Sequence, residues 1–200
     1  MWIHHLTHID NLESILERGL ISRNQLKQFN IKFNDTADKR IIGERNDLNN
    51  YIPFHINYLQ KKYSIPYNWK VLKNQSSENM IFLNYNIDDF SNNELDFYLY
   101  HPISKSQNNA IKINDLMGFK EKLLKEEKKL QNDMGYLDFS DNKTQQFLMS
   151  EVLIKDRIYL SEKWKIGVFS FAQKQIVEKK LEKNNLKIEV FIDDKRYFYR

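Results

Sequence analysis

The sequence predicts an α+β domain, on three observations. Segments with the two-residue alternation of strands and the 3.6-residue period of helices are interspersed without regular βαβ alternation. Neither a glycine-rich dinucleotide fingerprint nor a phosphate loop occurs, which argues against Rossmann and P-loop chemistry. The 200 residues, 41% hydrophobic and 14% aromatic, suffice for one substantial core, so one domain over residues 1–200 is expected.

Residues 2–6 read as a short strand, and Thr7 followed by Asp10 has the spacing of a helix-capping box. Ile9, Leu12, Ile15, Leu16 and Leu20 then recur at helical spacing, and Gly19 fits the left-handed residue after a helix. Residues 22–50 are polar, with a short turn expected near 38–44. A segment of this length inside a compact domain is more often functional than idle. Residues 51–58 are extended and aromatic, Pro53 marking an edge or a strand start. Further strands are expected at 80–84 and 97–100, with a polar, helical stretch between them at 88–94. Leu116, Phe119, Leu123, Leu124 and Leu130 predict an amphipathic helix over 116–134. A helical turn at Gln145 and Gln146 leads into a β-rich run from Glu151 to Ile154. A strand at 166–171, a helix at 172–184, a strand at 186–192 and a last short strand at 196–199 complete the chain.

Composition narrows the chemistry. There are 31 Lys+Arg against 27 Asp+Glu, a net charge of +4, compatible with a polyanionic partner and with an ordinary soluble protein alike. The absence of cysteine excludes disulfides, thiolate catalysis and Cys-based zinc sites. The five histidines form no HExxH pairing, so no metal is expected. The start lacks the basic flank and apolar core of a signal peptide, and no run of about 18 apolar residues occurs, so a cytoplasmic location is expected.

The most informative single residue is Glu151, a carboxylate at the head of an apolar strand. Burying it unpaired costs several kcal/mol, so it must be partnered, sit in a cleft or shift its pKa. Pairing with a Lys at a sheet end would meet that demand as well as a catalytic role would. His4 and His5 alternate faces, so only one is expected to face the interior; His5 shares its face with Thr7. Arg40 and Arg45, in the long polar segment, are each able to grip a phosphate bidentately.

Several of these segments, in this order, resemble the DarT family of DNA ADP-ribosyltransferase toxins. They are His5-Leu6-Thr7-His8-Ile9-Asp10-Asn11-Leu12 with Ile15 to Leu20; Ala37-Asp38 followed by Ile41 and Arg45; Tyr51-Ile52-Pro53-Phe54, similar to a Tyr-Val-Pro-Phe signature; and Glu151-Val152-Leu153 with Ile166 to Ser170. The likeness spans roughly residues 2–171. The chain departs from the family where Tyr58 to Lys61 replaces Arg-Ser-Pro-Met, where Phe97 to Tyr100 replaces Phe-Thr-Asp and leaves His101 to match a family histidine, and where Met149-Ser150 replaces Gln-Ala.

The resemblance implies an ADP-ribosyltransferase-like fold with central mixed or antiparallel sheets flanked by helices. It implies NAD as co-substrate without a metal, single-stranded DNA as acceptor, a toxin or phage-defence role, and a macrodomain-type antitoxin as partner. By its pattern Glu151 and Arg45 are catalytic, His5, Thr7, Asn11, Tyr51 and Phe54 bind the cofactor, and His101 and Arg40 position the substrate. Transfer from NAD passes through a cationic ribosyl transition state that a carboxylate stabilises, as in glycosidases, while Arg45, with a pKa above about 12, is suited to electrostatics rather than proton removal. Rival readings are an RNA or protein acceptor, a nucleic-acid-binding module without turnover, and a purely structural protein.

Overall fold

In the computed structural model, residues 1–37, 39–56, 71, 75–90, 95–103, 110–138, 140–193 and 198 are described, 39–41 by their backbone alone. The elements run β1 (Trp2–His8), α1 (Leu12–Arg18), β2 (Leu20–Ile21), α2 (Arg23–Gln28), α3 (Lys39–Glu44), β3 (Tyr51–Ile56), β4 (Met80–Asn86), β5 (Leu95–Leu99), β6 (Ile111–Ile113), α4 (Leu116–Leu130), α5 (Asn142–Leu148), β7 (Glu151–Lys155), β8 (Arg157–Ile158), β9 (Lys165–Val168), α6 (Phe171–Lys183) and β10 (Glu189–Ile192). Eight strands form one sheet in the order β10-β9-β4-β1-β3-β7-β5-β6, and β2 and β8 form a separate ribbon. Every pairing is antiparallel except β10 with β9. The α+β expectation therefore holds, with a mixed sheet.

Alternation assigns the two faces of the sheet. Ile3, Phe54, Ile56, Leu83, Phe97, Val152 and Ile166 belong to the main core with Leu12 and Ile15 of α1, Phe119 and Leu123 of α4, and Val177 and Leu181 of α6. On the other face Leu6, Met80 and Phe82 gather with Val71 and Phe198 in a smaller cluster. Both faces are covered, which overturns the expectation that only one of His4 and His5 turns inward. His4 is buried and His5 is half-buried.

Local signals placed most elements correctly. Gly19 closes α1 at φ +84, and a Cβ there would meet the Ile158 carbonyl oxygen at 2.9 Å, so both the conformation and the fit against β8 demand glycine. The Thr7 capping box does not form. Thr7 stays in β1, and His8 caps the 3-10 turn at Ile9–Asn11 by accepting from the Asp10 N–H. The strand expected at 166–171 ends at Val168, because Ser170 caps α6 through the Gln173 N–H. In the 88–94 stretch a 3-10 turn covers Ile87–Asp89, and 91–94 lie outside the described residues. The strand expected at 196–199 also falls there apart from Phe198, as do 57 and 58 of the expected aromatic strand.

One pairing detail positions the site. β1 pairs with β4 along all seven of its residues, but with β3 only at Ile3↔Ile56 and His4↔His55. β3 continues from His55 back to Tyr51 against β7. Beyond His4 and His55 the two strands part. Pro53, which has no N–H to give a ladder, lies in the half of β3 that β1 has left.

Candidate active site

A cavity of about 850 Å³ opens where β1 and β3 separate, lined by His5 and Thr7 from β1, Tyr51, Pro53 and His55 from β3, and Glu151 at the head of β7. Its volume lies in the upper part of the roughly 300–1,000 Å³ typical of small-molecule sites. Segment 31–37 and α2 close one side, and Arg45, His101, Gln146 and Met149 line the cavity as well.

Glu151 is 1% exposed and sits between cationic and imidazole groups. Arg45 donates to it from both guanidinium ends, Nη2 to Oε2 at 2.8 Å and Nη1 to Oε1 at 3.3 Å. Arg45 arrives there because α3 ends at Glu44 and Asn46 turns the chain at φ +43. Burial alone would raise the Glu151 pKa. The Arg45 guanidinium, its hydrogen bonds, His55 and His101 outweigh burial and hold the carboxyl below its usual value. The group is thus an ionised carboxylate in an apolar surround, kept so by a planar fork that matches both its oxygens.

The imidazoles around it are neutral. His55, paired with Glu151 across β3 and β7, is pushed by burial to about 4 against the pull of the carboxylate. His101 Nε2 lies 3.9 Å from Glu151 Oε1, and burial lowers its pKa too. His5 is likewise lowered, chiefly by burial. Its Nδ1 lies 2.8 Å from the Pro53 carbonyl oxygen, which only accepts, so Nδ1 carries the proton and Nε2 is left as an acceptor. This bond bridges the two strands where their ladder has stopped.

The register reveals a pattern that no single strand shows. Glu189, Lys165, Asn84, His4, His55, Glu151, Tyr98 and Lys112 are successive cross-strand partners, one from each of the eight strands. A polar row therefore crosses the whole sheet, with Asn84, His4, His55 and Glu151 buried at its centre. His55 and His4 had no distinguishing signal in sequence, because their relation to Glu151 depends on strand pairing.

Of the residues expected at the site, Glu151, Arg45, His5, Thr7, Asn11, Tyr51 and His101 all line the cavity. Phe54 does not. It is completely buried in the main core, against Trp164 at 6.0 Å between ring centroids, because alternation turns it to the face opposite His55. Asn11 is already engaged: its amide donates to Thr7 Oγ1 at 3.1 Å and to the Asn34 carbonyl at 3.0 Å, and its Oδ1 accepts from the Asn34 N–H at 2.7 Å. It ties segment 31–37 across the cavity. The Arg40 side chain lies outside the described residues, although its backbone is part of α3. Among the described residues no group of three or more His, Asp or Glu is disposed to hold a metal ion, and no helix is long and apolar enough to cross a membrane.

A family model described as "ssDNA thymidine ADP-ribosyltransferase, DarT" matches residues 4–199. No curated protein matches the chain. Among solved structures, Thermus sp. 2.9 DarT in complex with ADP-ribosylated ssDNA superposes with a TM-score of 0.76 at 18% identity, covering 96% of this chain and 94% of the other. The same protein in complex with carba-NAD+ gives 0.71 at 18% identity, covering 96% and 95%. Thermosipho africanus DarTG in complex with ADP-ribose gives 0.72 at 16% identity, covering 98% of this chain and 51% of that one, so the present chain spans about half its length. At these identities the likeness establishes the fold.

Proposed function

The chain belongs to the DarT family of single-stranded-DNA thymidine ADP-ribosyltransferases, and from that premise we propose that it moves ADP-ribose from NAD to a thymidine base, with Glu151 and Arg45 as its catalytic pair. The observation that carries this reading is the buried, two-pronged Arg45–Glu151 contact in the cavity between the parted strands. The NAD-analogue and ADP-ribosylated-DNA complexes of the Thermus protein support the choice of co-substrate and acceptor.

Cleavage of the bond from nicotinamide to ribose sends its electron pair to the nicotinamide ring and leaves positive charge at the anomeric carbon. A carboxylate held beside that carbon, bonded to the ribose 2-hydroxyl, lowers the energy of this state. Thymidine N3 forms the new bond, and its proton passes to Glu151 and then to solvent. Arg45 remains cationic at any working pH, so it fixes the carboxylate and neutralises negative charge rather than accepting the proton. His5 Nε2 offers an acceptor to an amide N–H such as that of the nicotinamide carboxamide, and Thr7 and Tyr51 contribute polar groups to the same wall. His101 and, by the family pattern, Arg40 are assigned to positioning the acceptor strand. Base atoms shielded in a duplex cannot enter such a cavity, so the acceptor is single-stranded or extruded.

An enzyme that modifies DNA bases has to be restrained in the cell that makes it. The chain therefore works in the cytoplasm as a toxin or phage-defence effector, opposed by a macrodomain-type antitoxin; the DarTG name and its ADP-ribose complex support such a partner. The test is incubation of the purified protein with labelled NAD and single-stranded oligonucleotides, each lacking one base. Label is expected on every oligonucleotide that contains thymidine and on none without it. A folded protein that labels no DNA overturns the reading, and label on RNA or protein instead moves the acceptor.

A further inference from the structure

Tyr100 has a backbone that its residue type does not favour. Its φ is +69, and a bulky aromatic residue in the left-handed region is a genuine outlier. It is 5% exposed and stands immediately before His101.

Three contacts over-determine this conformation. The Tyr100 N–H donates to Ser150 Oγ at 2.9 Å, and the Ser150 hydroxyl in turn donates to the Phe147 carbonyl at 2.6 Å. The β5–β7 ladder ends at Tyr98↔Glu151, so the serine hydroxyl receives the N–H of a strand that has run out of ladder partners. The Tyr100 hydroxyl donates to Glu126 Oε1 of α4 at 2.6 Å. Lys129 donates to the other oxygen, Oε2, at 2.9 Å, and Lys143 Nζ stands 3.3 Å from the same Oε1. These bonds bring the Glu126 pKa down to about 2 and, with burial as the larger cause, push the Tyr100 phenol well above its ordinary value, so the phenol stays a donor at all working pH values. The Tyr100 ring also packs against Phe147 at 6.1 Å between centroids.

The tether and the site are adjacent along both chain segments. Residues 100 and 150 are bonded, and their successors, His101 and Glu151, stand 3.9 Å apart. A turn at Tyr100 with ordinary negative φ would send His101 elsewhere.

We propose that Tyr100 is a positioning residue. Its left-handed turn, pinned by the Ser150 hydroxyl and the Glu126 carboxylate, holds the His101 imidazole against Glu151 on the side where the acceptor base enters. The proposal rests on the transferase reading above. Loosening the tether lets water reach the ribosyl centre in place of the base, so transfer suffers more than cleavage of NAD.

The test uses Tyr100→Phe, which keeps the ring and removes only the bond to Glu126, and Ser150→Ala, which removes the backbone anchor. DNA-linked ADP-ribose and free ADP-ribose are measured from the same reactions. In both variants the ratio of transferred to hydrolysed product is expected to fall about tenfold, since small misplacements of reacting groups have effects of that size or larger. An unchanged ratio with both products reduced together marks a merely structural role and overturns the proposal. NMR titration of His101 gives a readout that needs no turnover. With Glu151, Arg45 and Glu44 as the charged groups around it, its pKa is expected to move toward the ordinary histidine value in both variants. A His101 titration identical to that of the unaltered chain overturns the tether even if no DNA is labelled, whereas absence of DNA label from the unaltered chain counts only against the transferase reading.

Discussion

Val152 and Glu151 are neighbours in β7 and both are buried, yet they serve opposite faces of one sheet. On the Val152 face, Ile3, Phe54 and Phe97 close with four helices into the main core. On the Glu151 face, His4, His55 and Asn84 continue the polar row, and beyond them the strands part into a cavity that His5 and Thr7 line from the other face. The difference shows how a sheet carries a buried charge. One face supplies most of the apolar burial that stabilises the fold, and the other holds a carboxylate that Arg45 makes tolerable, with His55 and His101 beside it.

The comparison breaks if changes on the two faces have similar consequences. Phe54→Ala, on the closed face, is expected to lower unfolding free energy in denaturant by about 3–5 kcal/mol. A loss below about 1 kcal/mol would mean that Phe54 belongs to the site after all.

The open face should instead show itself in pH dependence. His55 titrates at about 4 in the folded chain against 6.5 when unperturbed. Above pH 6.5 both states are neutral and its contribution is complete. Between 6.5 and 4 only the unfolded chain takes up the proton, so stability falls, by on the order of 3 kcal/mol at pH 4. His4, lowered by burial and by His55 and His5, acts in the same direction. Denaturation midpoints measured from pH 7 down to 4 should fall, and His55→Gln should flatten the slope. An equal slope in both proteins contradicts the assignment.

Arg45→Lys sharpens the account of the open face. It keeps the charge but loses the fork, and the expected result is a transfer rate reduced by about 10–100-fold, roughly 1.4–2.7 kcal/mol, with little change in melting temperature. Full activity would reduce Arg45 to a point charge.

How much of this was legible in the sequence follows the range of the interactions. β1, α1, the Glu151 strand and Arg45 were readable because alternation, helical spacing, Gly19 and the ordered resemblance are carried by consecutive residues. The two-residue strands of the β2–β8 ribbon are too short to show a period, and α2 has no buried residue to mark a face. The polar row was invisible, since a register such as His55↔Glu151 joins positions far apart in the chain. Phe54 was misread as part of the cavity wall because an aromatic run fixes the alternation but not which of its rings a distant residue such as Trp164 covers. The turn at Tyr100 is imposed by Ser150 and Glu126, and no local preference of tyrosine announces it.

The central claim is that Glu151 is held ionised at the split in the sheet in order to transfer ADP-ribose. It is tested most directly by the rate of labelling of a thymidine oligonucleotide from NAD by Glu151→Gln beside the unaltered chain, with the folded state of both checked by circular dichroism. The account predicts a rate reduced by about 10²–10³-fold or more in a folded variant. Undiminished labelling by folded Glu151→Gln would contradict it.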